Sequence, residues 1–171
     1  MNLKEHIRTI PNYPKPGILF RDITPLLSSP SALRYAIDEL ANKINQEMEV
    51  DTIGSIEARG FLFAAPIAYK LNKPLVPIRK PGKLPFSTRY VTYDLEYGRD
   101  KIEIHEDAIT EGEKVVLVDD LLATGGTMDA AATLVENCGG VISGLATLIE
   151  LTELEGRSNL SNYHTVSLIE Y

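Results

Sequence analysis

Cysteine occurs once in this chain of 171 residues, at Cys138, so an intramolecular disulfide is excluded. Its apolar setting just before Gly139-Gly140 fits a buried thiol with no special role, in a reducing compartment. Histidine is sparse as well. The three histidines are scattered without metal-ligand spacing, and His105, close to Glu103 and Glu106, reads as structural or surface. No stretch approaches the ~18 apolar residues of a membrane span. The N-terminal MNLKEHIRTI also lacks the uninterrupted apolar run of a secretion signal. Neither secretion nor membrane insertion is signalled, and the cytoplasm is the expected location. Long Lys/Arg tracts are missing, and a formal charge of -7 argues against general nucleic-acid binding, because phosphate backbones attract basic surfaces. Tyr90, Tyr93 and Tyr97 fit a packed hairpin better than a base-stacking platform. Internal repeats and low-complexity linkers are absent, and the length suits one well-buried domain over residues 1–171.

What is present, 44% hydrophobic and 24% charged residues, is the composition of a globular protein. A short amphipathic segment, Leu3 to Ile10, precedes a proline-punctuated arm (Pro11, Pro14, Pro16), expected to be an extended cover. Ser29-Pro30 supplies an N-cap and first turn for a long helix with Leu33, Ile37, Leu40, Ile44 and Met48 on one face. Strands are expected at Thr52 to Ile56, Leu75 to Ile78, Val115 to Val118, Val141 to Ile149 and Thr165 to Ile169, with a helix from Phe61 to Leu71. Repeated strand-loop-helix units predict an α/β fold, a twisted, mainly parallel sheet flanked by helices. Tyr90 to Tyr97 and Lys101 to His105 break this rhythm as a two-stranded excursion turning at Gly98, a candidate lid. The expected organisation is an arm over about residues 1–30, a core over about 31–171 and a lid over about 85–105.

The densest chemistry lies in VVLVDDLLATGGTM, Val115 to Met128. Its apolar residues suit a central strand covered on both faces. Asp119 and Asp120, ionised at neutral pH, accept hydrogen bonds from neighbouring hydroxyls such as a ribose diol. Ala123, Thr124, Gly125, Gly126 and Thr127 combine small side chains, hydroxyl donors and approachable N–H groups at the start of an alanine-rich helix, which suits a phosphate. The segment is no P-loop, since no Gly-Lys-Ser/Thr follows, and its glycine spacing is not that of a dinucleotide fingerprint. Two further strand-end loops are cationic. Glu57-Ala58-Arg59-Gly60 carries a forked guanidinium, and Arg79-Lys80-Pro81-Gly82-Lys83 carries three cations around a turn. In an open α/β sheet, loops leaving the carboxyl ends of strands share one crevice, so together they would neutralise a ligand with several phosphate charges.

The segment VVLVDDLLATGGTM resembles the motif by which type I phosphoribosyltransferases bind 5-phospho-α-D-ribose 1-diphosphate (PRPP). IEARGFLF, IRKPGKLP, YDLEYG and GILFRDITPLL, in their order and spacing, resemble the adenine-using branch of that family, over roughly residues 11 to 155. The resemblance implies formation of AMP and diphosphate from adenine and PRPP, with Mg²⁺ held mainly by substrate oxygens, and a homodimer. It implies that Asp119 and Asp120 hold the ribose hydroxyls and Ala123 to Thr127 the 5′-phosphate, with Arg59, Arg79, Lys80 and Lys83 on the diphosphate. It implies that Glu96 acts at purine N7 with Tyr97 closing over the reaction centre. The adenine site would comprise Leu19, Phe20, Arg21 and Leu151. A non-proline cis peptide is expected within Glu57 to Gly60. A phosphoribosyltransferase for another base, such as xanthine or orotate, and a non-catalytic PRPP- or nucleotide-binding regulator on the same fold stay open as alternatives.

Overall fold

Strands that are apolar on both faces are stable only where both faces are covered, and this requirement organises the chain. The computed structural model describes residues 1–95 and 98–171. These form two compact units, Met1–Glu39 and Leu40–Tyr171.

In the first unit a 3-10 turn, Leu3–His6, leads into β1 (Arg8–Pro11) and β2 (Leu19–Asp22), followed by the short α1 (Thr24–Leu27). The proline-rich arm is therefore a hairpin and not simply an extended cover. β1 and β2 pair antiparallel, with Arg8 opposite Asp22 and Thr9 opposite Arg21. Both pairs are reinforced across the ladder. An ion pair joins Arg8 and Asp22 at 3.6 Å, and Arg21 donates to Thr9 Oγ1 at 2.6 Å. The connecting loop is fixed by Asn12, whose side chain accepts the Gly17 N–H at 2.9 Å. Tyr13 packs edge-on against Phe20 with ring centroids 5.1 Å apart.

The helix α2 (Pro30–Glu47) begins in the first unit and ends in the second. Ser29 caps it as expected, accepting the Ala32 N–H at 3.4 Å. Its buried face keeps Leu40, Ile44 and Met48 of the expected stripe and adds alanines in its first half. Ala32, Ala36, Leu40, Ala41 and Ile44 are buried, whereas Leu33 and Ile37 are only half-buried.

The second unit continues with β3 (Thr52–Ile56), α3 (Phe61–Leu71), β4 (Leu75–Ile78), β5 (Thr88–Leu95), β6 (Gly98–His105), β7 (Lys114–Leu122), α4 (Gly126–Asn137), β8 (Val141–Glu150), α5 (Gly156–Asn159) and β9 (Thr165–Glu170). Five parallel strands form one sheet in the order β4-β3-β7-β8-β9. Ile53, Val115, Val116, Leu117 and Val118 at its centre are fully buried. β7 is longer than expected. It continues through Asp119 and Asp120 to Leu122, because the ladder to β8 runs on to Leu122 opposite Glu150. The chain winds outward from β3 to β4 and then returns to the other side of β3 with β7. Loops leaving β3 and β7 thus diverge and open a crevice at this reversal of strand order. The pair β5–β6 forms a separate antiparallel hairpin with Tyr93 opposite Asp100. Among the described residues, no helix is long and apolar enough to cross a membrane.

Candidate active site

At the carboxyl ends of β3, β4 and β7 the second unit holds a crevice of about 450 Å³. Arg59, Lys80, Asp119, Asp120 and the loop Ala123 to Thr127 line it, so the three expected strand-end loops do converge. Close approach of the β3 loop to β7 depends on Gly60. A Cβ there would sit 2.9 Å from Asp119 Oδ1 and 3.0 Å from the Val118 carbonyl. The Glu57–Ala58 peptide in the same loop is cis, within the span where the resemblance puts one.

The two acids form an adjacent, poorly solvated pair. Asp119 Oδ1 accepts the Asp120 N–H at 2.8 Å. Asp120 is buried, and its Oδ2 lies 3.0 Å from Arg59 Nε without an aligned hydrogen bond. Burial, then the adjacent Asp120 charge, push the Asp119 carboxyl well above the usual carboxylate range. Burial raises Asp120 too, against the opposing pull of Arg59. Arg59 therefore bridges the β3 loop to β7 as well as lining the crevice.

The cations of the β4 loop divide their work. Lys80 lines the crevice, while Arg79 and Lys83 do not figure among the described lining residues. Arg79 is instead tied to Glu57, Nε to Oε2 at 3.2 Å, and lies 5.8 Å over the Phe61 ring. Glu57 also accepts the Lys80 N–H at 2.8 Å. Burial pushes the Glu57 carboxyl up, but the Lys80 N–H and Arg79 outweigh it and hold the group below its usual range. Arg79 thus stitches the β3 and β4 loops together. Lys83 is exposed, and its carbonyl accepts from Arg79 at 3.4 Å.

The hairpin enters the crevice through side chains that sequence reasoning missed. Tyr93 and Asp100 line it. Lys80 is ion-paired with Asp100, Tyr93 donates to Asp100 Oδ2 at 3.2 Å, and Thr127 Oγ1 lies 3.3 Å from the Tyr93 hydroxyl. Burial raises the Asp100 carboxyl, yet its bonds to Lys80 and the Lys101 N–H leave it lowered overall. Their cross-strand register is the signal that would have found this pair. The hairpin is also stitched to the β4 loop, with Arg79 and Glu103 exchanging backbone hydrogen bonds at 2.9 and 2.7 Å.

The remaining expected residues fall elsewhere. Glu96 and Tyr97 lie outside the described residues. Leu19, Phe20 and Arg21 are on β2 in the first unit, Leu19 being 50% exposed. Leu151 follows β8, its N–H donating to the carbonyl of crevice-lining Leu122 at 2.9 Å. At the other end of the loop, α4 begins at Gly126 after Gly125 with φ of +86°. Its N-terminus supplies unpaired N–H groups and a positive dipole end to the crevice.

A raised acid binds its proton more tightly when folded, so its contribution to stability falls as pH rises from the unfolded value through the folded one. Asp119→Asn removes that cost while retaining an acceptor for the Asp120 N–H. The ligand-free variant should melt at a higher temperature than the parent at neutral pH, the gap closing as pH falls toward about 4. Calorimetry across that range checks it, and an unchanged or lower melting temperature at neutral pH would contradict the geometry.

Known proteins resemble the chain in both sequence and fold. The phosphoribosyl transferase domain model matches residues 27–169. An adenine phosphoribosyltransferase of Kosmotoga olearia is 54% identical over 171 residues, covering 100% of both chains. The crystal structure of adenine phosphoribosyltransferase from Thermoanaerobacter pseudethanolicus superposes with a TM-score of 0.96 at 52% identity, over 99% of this chain and 98% of that one. The Saccharomyces cerevisiae enzyme, solved with an imino-altritol bisphosphate and adenine, gives a TM-score of 0.92 at 39% identity, over 97% and 96%. Matched over residues 27–169 by the family model and over its whole length by a relative more than half identical, the chain belongs to the phosphoribosyltransferase family, in its adenine phosphoribosyltransferase branch.

Proposed function

We propose that the crevice binds PRPP and that the chain transfers its phosphoribosyl group to adenine, giving AMP and diphosphate in purine salvage. One observation carries the reading: a paired-acid strand end, a small-residue loop at a helix N-terminus and two cations, Arg59 and Lys80, share a single crevice. Asp119 and Asp120 accept the ribose hydroxyls, and Ala123, Thr124, Gly125, Gly126 and Thr127 wrap the 5′-phosphate. Breaking the bond from C1 to the leaving oxygen builds positive charge on the ribose and negative charge on the diphosphate. Arg59 and Lys80 face that negative charge, with Lys83 adding to the local potential. Arg79 and Lys83 are proposed as further diphosphate ligands, Arg79 also holding the loop that presents Lys80. The acids, poorly solvated as they are, favour the cationic ribose over its neutral ground state.

For the base, the proposed ligands are Leu19, Phe20, Arg21 and Leu151, carried over from the resemblance. Glu96 is proposed to act at N7 so that N9 attacks C1, with Tyr97 shielding the reaction. We place the lid over about residues 85–105 and the hood arm over about 1–30, on a core of about 31–171.

Mg²⁺ is proposed as the cofactor. Among the described residues no group of three or more His, Cys, Asp or Glu side chains is arranged to hold a metal. Asp119 and Asp120 are the candidate protein carboxylates for an ion that keeps its waters and takes substrate oxygens. When bound, it neutralises charge on the diphosphate. A reducing cytoplasm suits the lone Cys138, a location that cell fractionation checks.

A homodimer is proposed on the outer face of α3. Leu62, Ala65 and Tyr69 recur there at helical spacing and are exposed, Tyr69 to 89%, with Leu75 exposed nearby in sequence at 41%. Leu62→Glu combined with Tyr69→Asp should convert the dimer to a monomer in light scattering. A dimer that survives both changes would remove this face from the assembly.

Incubation with PRPP, Mg²⁺ and each purine base should yield AMP from adenine far faster than IMP, GMP or XMP from their bases, and chelation of Mg²⁺ should stop it. Comparable rates for all bases would defeat the assignment. Glu96→Ala should lower kcat by about 100-fold, in the range of a lost acid-base group, while PRPP affinity changes little. A kcat equal to the parent's would take Glu96 out of the chemistry.

A further inference from the structure

The phosphate loop has a second side, facing away from the crevice, and a segment to which no role has been given presses against it. Between β8 and β9 the chain makes a 3-10 turn, Thr152–Leu154, and then α5. Asn159 at the end of α5 donates its side-chain amide to the Thr124 carbonyl at 2.8 Å. Two glycines bring the segments together. A Cβ on Gly125 would come 2.8 Å from the Gly156 carbonyl, and one on Gly156 would overlap the Ala123 carbonyl. Side chains at these positions would drive the two backbones apart.

Arg157 anchors the segment to the sheet. It forms a forked pair with Glu150 at the end of β8, Nε to Oε1 at 2.9 Å, and donates to the Thr165 carbonyl on β9 at 2.5 Å. Glu150 is 5% exposed and also accepts from Ser167 at 2.7 Å. Hydrogen bonding from Arg157, then Ser167, outweighs burial and holds the Glu150 carboxyl below its usual range. The platform carrying Asn159 is therefore tied to two strands of the sheet.

The consequence follows from peptide planarity. In a trans peptide the carbonyl and the following N–H point in opposite directions. The Thr124–Gly125 peptide is not among the cis bonds of the chain. With its carbonyl held toward Asn159, the Gly125 N–H is turned the other way, and both residues line the crevice. We propose that Asn159 is a positioning residue for PRPP: by gripping the Thr124 carbonyl it aims the Gly125 N–H at the 5′-phosphate. The inference rests on the reading of Ala123 to Thr127 as the 5′-phosphate loop. Asn159 itself touches no substrate. It fixes in advance an orientation that the free loop would otherwise adopt only on binding, so its effect falls on phosphate affinity and not on bond breaking.

The test uses the full chain and two ligands that report on different parts of the site, ribose 5-phosphate and inorganic diphosphate with Mg²⁺, titrated by calorimetry. Asn159→Ala should weaken ribose 5-phosphate by about three- to tenfold, the worth of one neutral hydrogen bond. Diphosphate binding and melting temperature should stay at parent values. In turnover, KM for PRPP should rise by a similar factor while kcat and KM for adenine hold. Asn159→Gln, which keeps the donor, should recover part of the loss. Thr127→Ala, inside the loop, serves as the control for the underlying reading. If Thr127→Ala weakens ribose 5-phosphate but Asn159→Ala does not, the positioning role is overturned and the phosphate loop stands. If neither variant affects ribose 5-phosphate, the loop assignment fails and the inference goes with it. Equal loss of both ligands with a lowered melting temperature that Gln does not restore would make Asn159 a folding residue and equally overturn the proposal.

Discussion

Two carboxylates side by side at the end of a central buried strand are the constraint around which the second unit is arranged. Asp119 and Asp120 are held where water is scarce, and their charges are only partly compensated by Arg59. Such a pair is unfavourable to folding on its own and becomes favourable once hydroxyl donors and cationic character arrive to meet it. The neighbouring loops are shaped by this demand. Gly60 lets the β3 loop come against Asp119, and Arg59 reaches from that loop to Asp120. Sheet topology makes the meeting possible, because β3 and β7 are adjacent while their following loops run to opposite sides.

Around this centre the unit keeps its loops in place with fixed ion pairs and backbone bonds. Glu57 joins the β3 loop to the β4 loop through Arg79 and the Lys80 N–H. Glu103 joins the β4 loop to the hairpin through its backbone bonds to Arg79 and its carboxylate's bond to the Gly82 N–H at 3.2 Å. Glu150 and Arg157 do the same for the segment behind the phosphate loop. Several of the chain's charged residues thus serve as internal fasteners, which separates them from the cations left facing the crevice.

How much of this was legible in the sequence depended on how local the chemistry was. The acids, the glycine loop and the following helix are contiguous, so strand pattern and residue type sufficed to place them together. Parallel strands announced themselves as apolar runs at regular intervals. The end of β7 did not, because pairing with β8 continues past the point where the apolar run stops. The Glu57 partner of Arg79 lies on another strand end, so their contact is invisible to spacing. Tyr93 and Asp100 belong to the site only through a register that pairs them across the hairpin. Asn159 was silent for the same reason: its partner Thr124 is a backbone carbonyl 35 positions away. On α2 the expected Leu40, Ile44 and Met48 are buried, while Leu33 and Ile37 give way to Ala32, Ala36 and Ala41, which apolar bulk alone does not single out.

The pairing of Lys80 with Asp100 alters what binding at that lysine means. Lys80 already holds an anion supplied by its own chain, so a phosphate arriving there replaces a carboxylate contact instead of meeting a free cation. The free energy gained at Lys80 is then a difference between two ion contacts, smaller than either alone. Removing the lysine would also strand Asp100, so a loss measured on truncation would combine a missing ligand contact with an uncompensated acid on the hairpin. Affinity at this position is a property of the exchange and belongs to the hairpin as much as to the lysine.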